Sequence, residues 1–155
     1  MKGIIFFFLI GLSLTYPFDP KGSLEYAKEH CDIPYPIYSK MEKENIDSGT
    51  FVSQCIHEGG SFSVMVCVEW RDENFFIPFG GELQRCLVRH GWKSSTTPPK
   101  KFEAGYPMFI KKNDIAIIFD HFEGDSVYGY THYKGEYYCN EYIADKDDFY
   151  YFYDE

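Results

Sequence analysis

Ser48 opens the stretch of this chain best suited to chemistry. It lies in Asp47-Ser48-Gly49-Thr50-Phe51-Val52-Ser53-Gln54-Cys55-Ile56-His57-Glu58-Gly59-Gly60, a polar turn running into a short helix with Phe51, Val52, Cys55 and Ile56 on its apolar side. The paired glycines end that helix. A side chain at the mouth of such a helix meets unpaired backbone N–H groups and the positive end of the macrodipole. An enzyme can hold a thiolate or an oxyanion in that setting. Acyl transfer there requires a histidine base within hydrogen-bond reach and a polar group that orients its imidazole.

The neighbours of Ser48 have plainer readings. Cys55 follows it by seven residues, about 10 Å along a helix, so it is a buried core residue or a disulfide partner. His57 and His30 are single histidines on helices and read as surface or internally satisfied residues. Asp47 is a cap or turn residue. Ser53 and Gln54 either point to a cleft or pack as neutral polar groups.

The elements that must position these groups can be read from periodicity. Gly22-Ser23 followed by Leu24 to Cys31 predicts a helix capped by Ser23, with Leu24, Ala27 and Cys31 at helical spacing. Pro34 and Pro36 impose an extended segment. The run from Phe62 to Trp70 is apolar and partly β-branched. Pro78, Gly80 and Gly81 break the chain before a helix over Glu82 to His90, which has Leu83, Cys86, Leu87 and His90 on one face and Gly91 as its C′ residue. Ser94 to Lys101 is a loop by composition.

The remainder is strand-like. Pro107 to Ile110 is a short strand, and Asp114 to Phe122 has so little alternation that it should be buried on both faces. Glu123-Gly124-Asp125 is a hairpin turn from which Ser126 to His132 returns antiparallel, and Phe149 to Tyr153 can close the sheet. Helices first and antiparallel strands afterwards give an α+β domain, with N-terminal helices packed on a C-terminal antiparallel sheet.

Composition narrows the class. Lys2, the apolar run Ile4 to Ile10 and the small residues Gly11, Ser13 and Thr15 describe a secretory signal peptide over residues 1–15, leaving one domain over residues 16–155. The apolar run is too short to span a bilayer comfortably. The protein is therefore expected to be secreted or extracellular, with no membrane attachment after signal cleavage. The chain carries a net charge of −9, and roughly −10 once Lys2 is removed. That excess of carboxylates argues against nucleic acid and anionic lipid as partners. In an oxidising compartment the five cysteines Cys31, Cys55, Cys67, Cys86 and Cys139 should pair and leave one over. No Cys or His spacing suits a metal, and no cofactor is expected.

The stretch from Asp47 to Gly60 resembles the putative amidase family, which is papain-like and related to NlpC-type cell-wall peptidases. Its signature runs Asp-Cys-Thr-Asn-Phe-Val-Ser-Gln-Cys-Leu-x-x-Gly-Gly, matched here by Asp47, Phe51, Val52, Ser53, Gln54, Cys55, Gly59 and Gly60. Ser48 stands where the nucleophilic cysteine belongs. The likeness continues in Leu83, Cys86, Leu87, Gly91 and Trp92, and in Gly105-Tyr106-Pro107-Met108-Phe109. The resemblance implies that Asp114, opening Asp114-Ile115-Ala116-Ile117-Ile118, occupies the position of the base histidine. It also implies that His132, ending Tyr128-Gly129-Tyr130-Thr131-His132, is the retained third polar residue.

With a carboxylate at Asp114 and a hydroxyl at Ser48, cysteine amidase chemistry should be lost. A hydroxyl holds its proton far more tightly than a thiol, and an ordinary carboxylate is too weak a base to remove it. The expectation is a catalytically degenerate domain that binds peptide or peptidoglycan-derived ligands, with Tyr128, Tyr130 and Tyr133 lining its cleft. The alternative is an active amide hydrolase on cell-wall peptides, using Ser48 as nucleophile in a rearranged Ser48–His132–Asp114 triad. His121 lies seven residues beyond Asp114, about 23 Å along an extended strand, and should sit at the other end of the sheet. A third reading is an extracellular interaction protein whose cleft no longer matters.

Overall fold

The computed structural model describes residues 17–33, 47–60 and 80–154. The expected signal peptide over residues 1–15, the Pro34–Pro36 segment and the apolar run from Phe62 to Trp70 lie outside the described residues.

Among the described residues, three helices precede a six-stranded antiparallel sheet. The helices are α1 (Pro20–His30), α2 (Asp47–Glu58) and α3 (Gly80–Arg89). The strands are β1 (Lys93–Ser95), β2 (Pro107–Ile110), β3 (Ala116–Glu123), β4 (Ser126–Tyr133), β5 (Glu136–Asp145) and β6 (Phe149–Tyr153). They lie in the order β1-β6-β2-β3-β4-β5. The expected α+β layout holds.

Helix α1 starts earlier than its sequence suggests. Asp19, not Ser23, is its N-cap: Asp19 Oδ1 accepts from Lys21 N at 3.0 Å, and Pro20 occupies the first helical turn. Proline there has its φ already set and loses no backbone bond, so the Asp-Pro pair outcompetes a serine three residues on. Ser23 lies fully buried inside the helix instead. Likewise Gly80 and Gly81 form the first turn of α3 rather than breaking the chain before it. Gly91 does follow that helix with φ 92°, the left-handed geometry of a C′ residue.

The helices cover one face of the sheet. Phe51, Val52, Cys55 and Ile56 of α2 are each fully buried, in one core with Ala27, Leu83, Leu87, Trp92, Phe109, Ala116, Ile118, Tyr130 and Phe152. A second core on the other face holds Met108, Ile115, Ile117, Phe119, Val127, Phe149 and Tyr151. Ala116 and Ile118 thus face one core while Ile117 and Phe119 face the other, which is why β3 reads as a continuous apolar run. It begins at Ala116, two residues later than its apolar pattern suggests.

Three further corrections concern the strands. Ser94 and Ser95 are not in a loop but in β1, a three-residue strand pairing with β6. β6 does not close the sheet: it is inserted between β1 and β2, antiparallel to both. β5 was not expected; its residues alternate poorly because it is an exposed edge strand.

A disulfide joins Cys31, just past α1, to Cys139 on β5. Cys86 is also disulfide-bonded, and Cys55 is a free, buried thiol. Among the described residues, no helix is long and apolar enough to cross a membrane.

Candidate active site

Ser48 sits in the first turn of α2, 8 % exposed. Its Oγ accepts a hydrogen bond from Ala116 N, the first residue of β3, at 3.3 Å. The carbonyl of the same Ala116 accepts from Thr131 Oγ1 of β4 at 2.6 Å. One residue at the head of β3 therefore ties the mouth of α2 to the end of β4.

His132, next to Thr131, is fully buried. Its Nε2 lies 2.8 Å from the carbonyl oxygen of Cys31, an acceptor only, so Nε2 carries the proton. Its ring stacks on Phe51 of α2 with centroids 4.2 Å apart and planes 16° from parallel, and Tyr137 of β5 meets it edge-on at 4.8 Å. The imidazole is thus held by a stacked ring, an edge contact and a hydrogen bond at Nε2. Ser48 lies about one helical turn before Phe51, the residue on which the His132 ring stacks.

Asp114 is turned elsewhere. It has φ 58°, a left-handed conformation that aspartate tolerates better than most residues, and its N–H donates to Ile110 O at 2.9 Å. Its Oδ1 accepts from Gln84 Nε2 of α3 at 2.9 Å. Gly80 makes this approach feasible, since a Cβ there would lie 1.7 Å from the Asp114 carbonyl oxygen. The carboxylate lies at the N-terminal end of α3, where the macrodipole favours a negative charge. A hollow of about 430 Å³ is lined there by Gly80, Gly81, Glu82, Arg85, Asn113 and Asp114.

The surrounding polar residues serve packing. Ser53 Oγ donates to Thr50 O at 2.8 Å, and Gln54 Oε1 accepts from Tyr26 OH at 3.1 Å, both in buried or half-buried settings. His30 Nδ1 contacts Tyr26 O at 3.0 Å while its ring stacks on Tyr26. Burial pushes the Cys55 thiol well above its ordinary value, with Glu58 adding to the effect, so it stays protonated and unreactive. The side chain of Asp47 lies outside what the structure describes.

The three tyrosines expected to line one cleft do not share one face. Tyr130 belongs to the helix-side core and Tyr133 packs against the opposite one, as odd and even positions of a strand must. His121 lies beyond the bulge in β3, bonded to Asp120 and Glu123 rather than to the α2 region. The Cys31 carbonyl, Thr131, Phe51 and Gln84 were missed as site residues. Only Phe51 had a sequence signal, its place one turn beyond Ser48 on the apolar side of the helix.

The family model described as a putative amidase domain matches residues 18–97, just over half of the chain. That span holds α1, α2, α3, β1 and Ser48; Asp114 and His132 lie beyond it. No curated protein and no solved structure matches the chain.

Proposed function

The chain belongs to the putative amidase domain family, and on that basis we propose that it is a papain-like, NlpC-type domain that binds peptide or cell-wall fragments without hydrolysing them. The observation that carries this reading is the divergence of the side chains at the two substituted positions. Ser48 Oγ is engaged by Ala116 N, while the Asp114 carboxylate is engaged by Gln84 on another helix. A serine nucleophile needs a base on its proton, and a carboxylate drawn to α3 is poorly placed as well as too weak. His132 supports the same conclusion, because its Nε2 is held by the Cys31 carbonyl and its ring is clamped by Phe51. Loss of nucleophile and base commonly costs several powers of ten in rate, whereas the contacts that hold a ligand survive.

Secretion belongs to the same proposal. The Cys31–Cys139 bond fits an oxidising compartment, as does the leader-like residues 1–15. A single domain over residues 16–155 is supported by Phe18 N, which donates to Asp154 Oδ2 at 3.2 Å and ties the start of the described fold to its end.

The test uses the mature, oxidised protein with a serine-directed fluorophosphonate probe and with peptidoglycan fragments. Fragment binding without labelling and without product is the expected outcome. Stoichiometric labelling that disappears in Ser48→Ala would replace this reading with that of a serine amide hydrolase.

A further inference from the structure

At the end of β3, β4 and β5, three rings form a row across adjacent strands. His121 pairs with Tyr128 and Tyr128 pairs with Tyr142. The rings of His121 and Tyr128 stack with centroids 4.8 Å apart and planes 15° from parallel, and Tyr142 stands at 67° to Tyr128 at 6.3 Å. The His121 side chain is 39 % exposed and Tyr142 is 50 % exposed.

Backbone irregularities assemble this row. The register on β3 shifts between Phe119 and His121; without that extra residue Asp120, not His121, would lie opposite Tyr128. The register on β5 shifts twice, between the partners of Val127 and Tyr128 and between those of Gly129 and Tyr130, where Asn140 adopts φ 54°; without the second shift Glu141, not Tyr142, would face Tyr128. Two bulges in different strands each exchange a carboxylate for a ring at the same rung. Bulges re-aim side chains in this way, at the expense of ladder pairing.

Three carboxylates lie beside the rings. Asp120 Oδ2 lies 2.7 Å from His121 Nδ1, and its Oδ1 accepts from Tyr130 OH at 3.3 Å. Glu123 Oε1 lies 3.4 Å from His121 Nε2, and its negative charge raises the Tyr128 phenol above its ordinary value. Asp145 accepts from Tyr142 OH at 3.2 Å. A phenol that donates to a carboxylate has a more electron-rich face, so these rings attract a cation more strongly. Lys146, beside Asp145 in sequence, is directed to the opposite side of the sheet, over the Phe122 ring at 4.8 Å.

We propose that the His121–Tyr128–Tyr142 row, with Asp120, Glu123 and Asp145 around it, is a docking surface for an arginine-bearing peptide segment of a partner protein. Charge complementarity commits the occupant to a cation: the row is edged by carboxylates on a chain of net charge −9. The planar rings select guanidinium over ammonium, because guanidinium stacks on an aromatic face while its N–H groups reach carboxylates in the same plane. This surface is separate from the α2 region and does not depend on the function proposed for it.

The test titrates the full-length mature protein with hexa-arginine and hexa-lysine peptides of equal charge, following amide and tyrosine ring resonances. The expected result is tighter binding of hexa-arginine, with shifts at His121, Tyr128 and Tyr142. Tyr142→Ala should weaken it about tenfold without altering the charge of the protein. Tyr142→Leu keeps the apolar bulk of this half-exposed site and should weaken it similarly. Glu123→Gln should also weaken binding, whereas Glu136→Gln, off the row, should not. Equal affinity for the two peptides, binding indifferent to both Tyr142 variants, no binding, or tighter binding of a neutral oligosaccharide at these rings would each overturn the proposal.

Discussion

His132 and Cys31 are joined by a 2.8 Å hydrogen bond from imidazole Nε2 to a backbone carbonyl, across 101 residues of sequence. Cys31 is at the same time bonded through sulfur to Cys139 of β5, and Tyr137 of that strand meets the imidazole edge-on. The disulfide and the buried histidine therefore belong to one assembly: the covalent bond fixes the carbonyl that fixes the ring.

Removing that bond should release both. Cys31→Ser with Cys139→Ser opens a loop of 108 residues and should lower unfolding free energy by roughly 3–5 kcal/mol in urea titrations. The His132 Nε2 proton should exchange with solvent faster in the variant than in the parent, as read by NMR.

Phe51 is the apolar half of the same clamp. Phe51→Ala should cost about 3–5 kcal/mol by urea unfolding, since it empties a fully buried site and unstacks His132. Phe51→Leu should cost clearly less, because most of the volume is retained.

Ser48 can be tested for a role in stability. Ser48→Ala deprives Ala116 N of its acceptor in a buried setting and should destabilise by about 1–3 kcal/mol in urea titrations. Introducing the thiol and imidazole that the proposed papain-like reading expects is the complementary change. Ser48→Cys with Asp114→His should give a thiol that iodoacetamide alkylates at least about tenfold faster than Cys55, measured by mass shift under native conditions.

The pH dependence of the aromatic row follows from His121. Its hydrogen bond to Asp120, followed by the nearby Glu123, raises the imidazole above its ordinary 6.5 despite slight desolvation. A raised folded value means that the protonated ring stabilises the fold. That contribution is fully present below the unfolded value near 6.5 and is lost as pH rises through the folded value. NMR titration should give His121 a midpoint above 6.5, and Asp120→Asn should bring it down.

Legibility in the sequence followed the range of the interactions involved. The α2 helix, Pro107–Ile110 and Phe149–Tyr153 were readable because local apolar pattern and turn residues set them. The bulges at Asp120 and Asn140 were not, since they exist only relative to a paired strand. Ser48 could be singled out by its place at a helix mouth. The destination of Asp114 could not: its bond to Gln84 depends on how α3 docks, and no spacing across 30 residues encodes that. The Cys31 carbonyl was invisible for a simpler reason, because any residue supplies one.

The position of β6 has a consequence for how the chain matures. β1 at residues 93–95 pairs with β6 at residues 149–153. During vectorial synthesis β1 has no neighbour in the sheet until that distant segment leaves the ribosome, and until then β2 lacks one of its two partners. The backbone N–H and C=O groups along that edge of β2 stay unpaired until then, so the sheet cannot be completed stepwise from the N-terminal end of the chain.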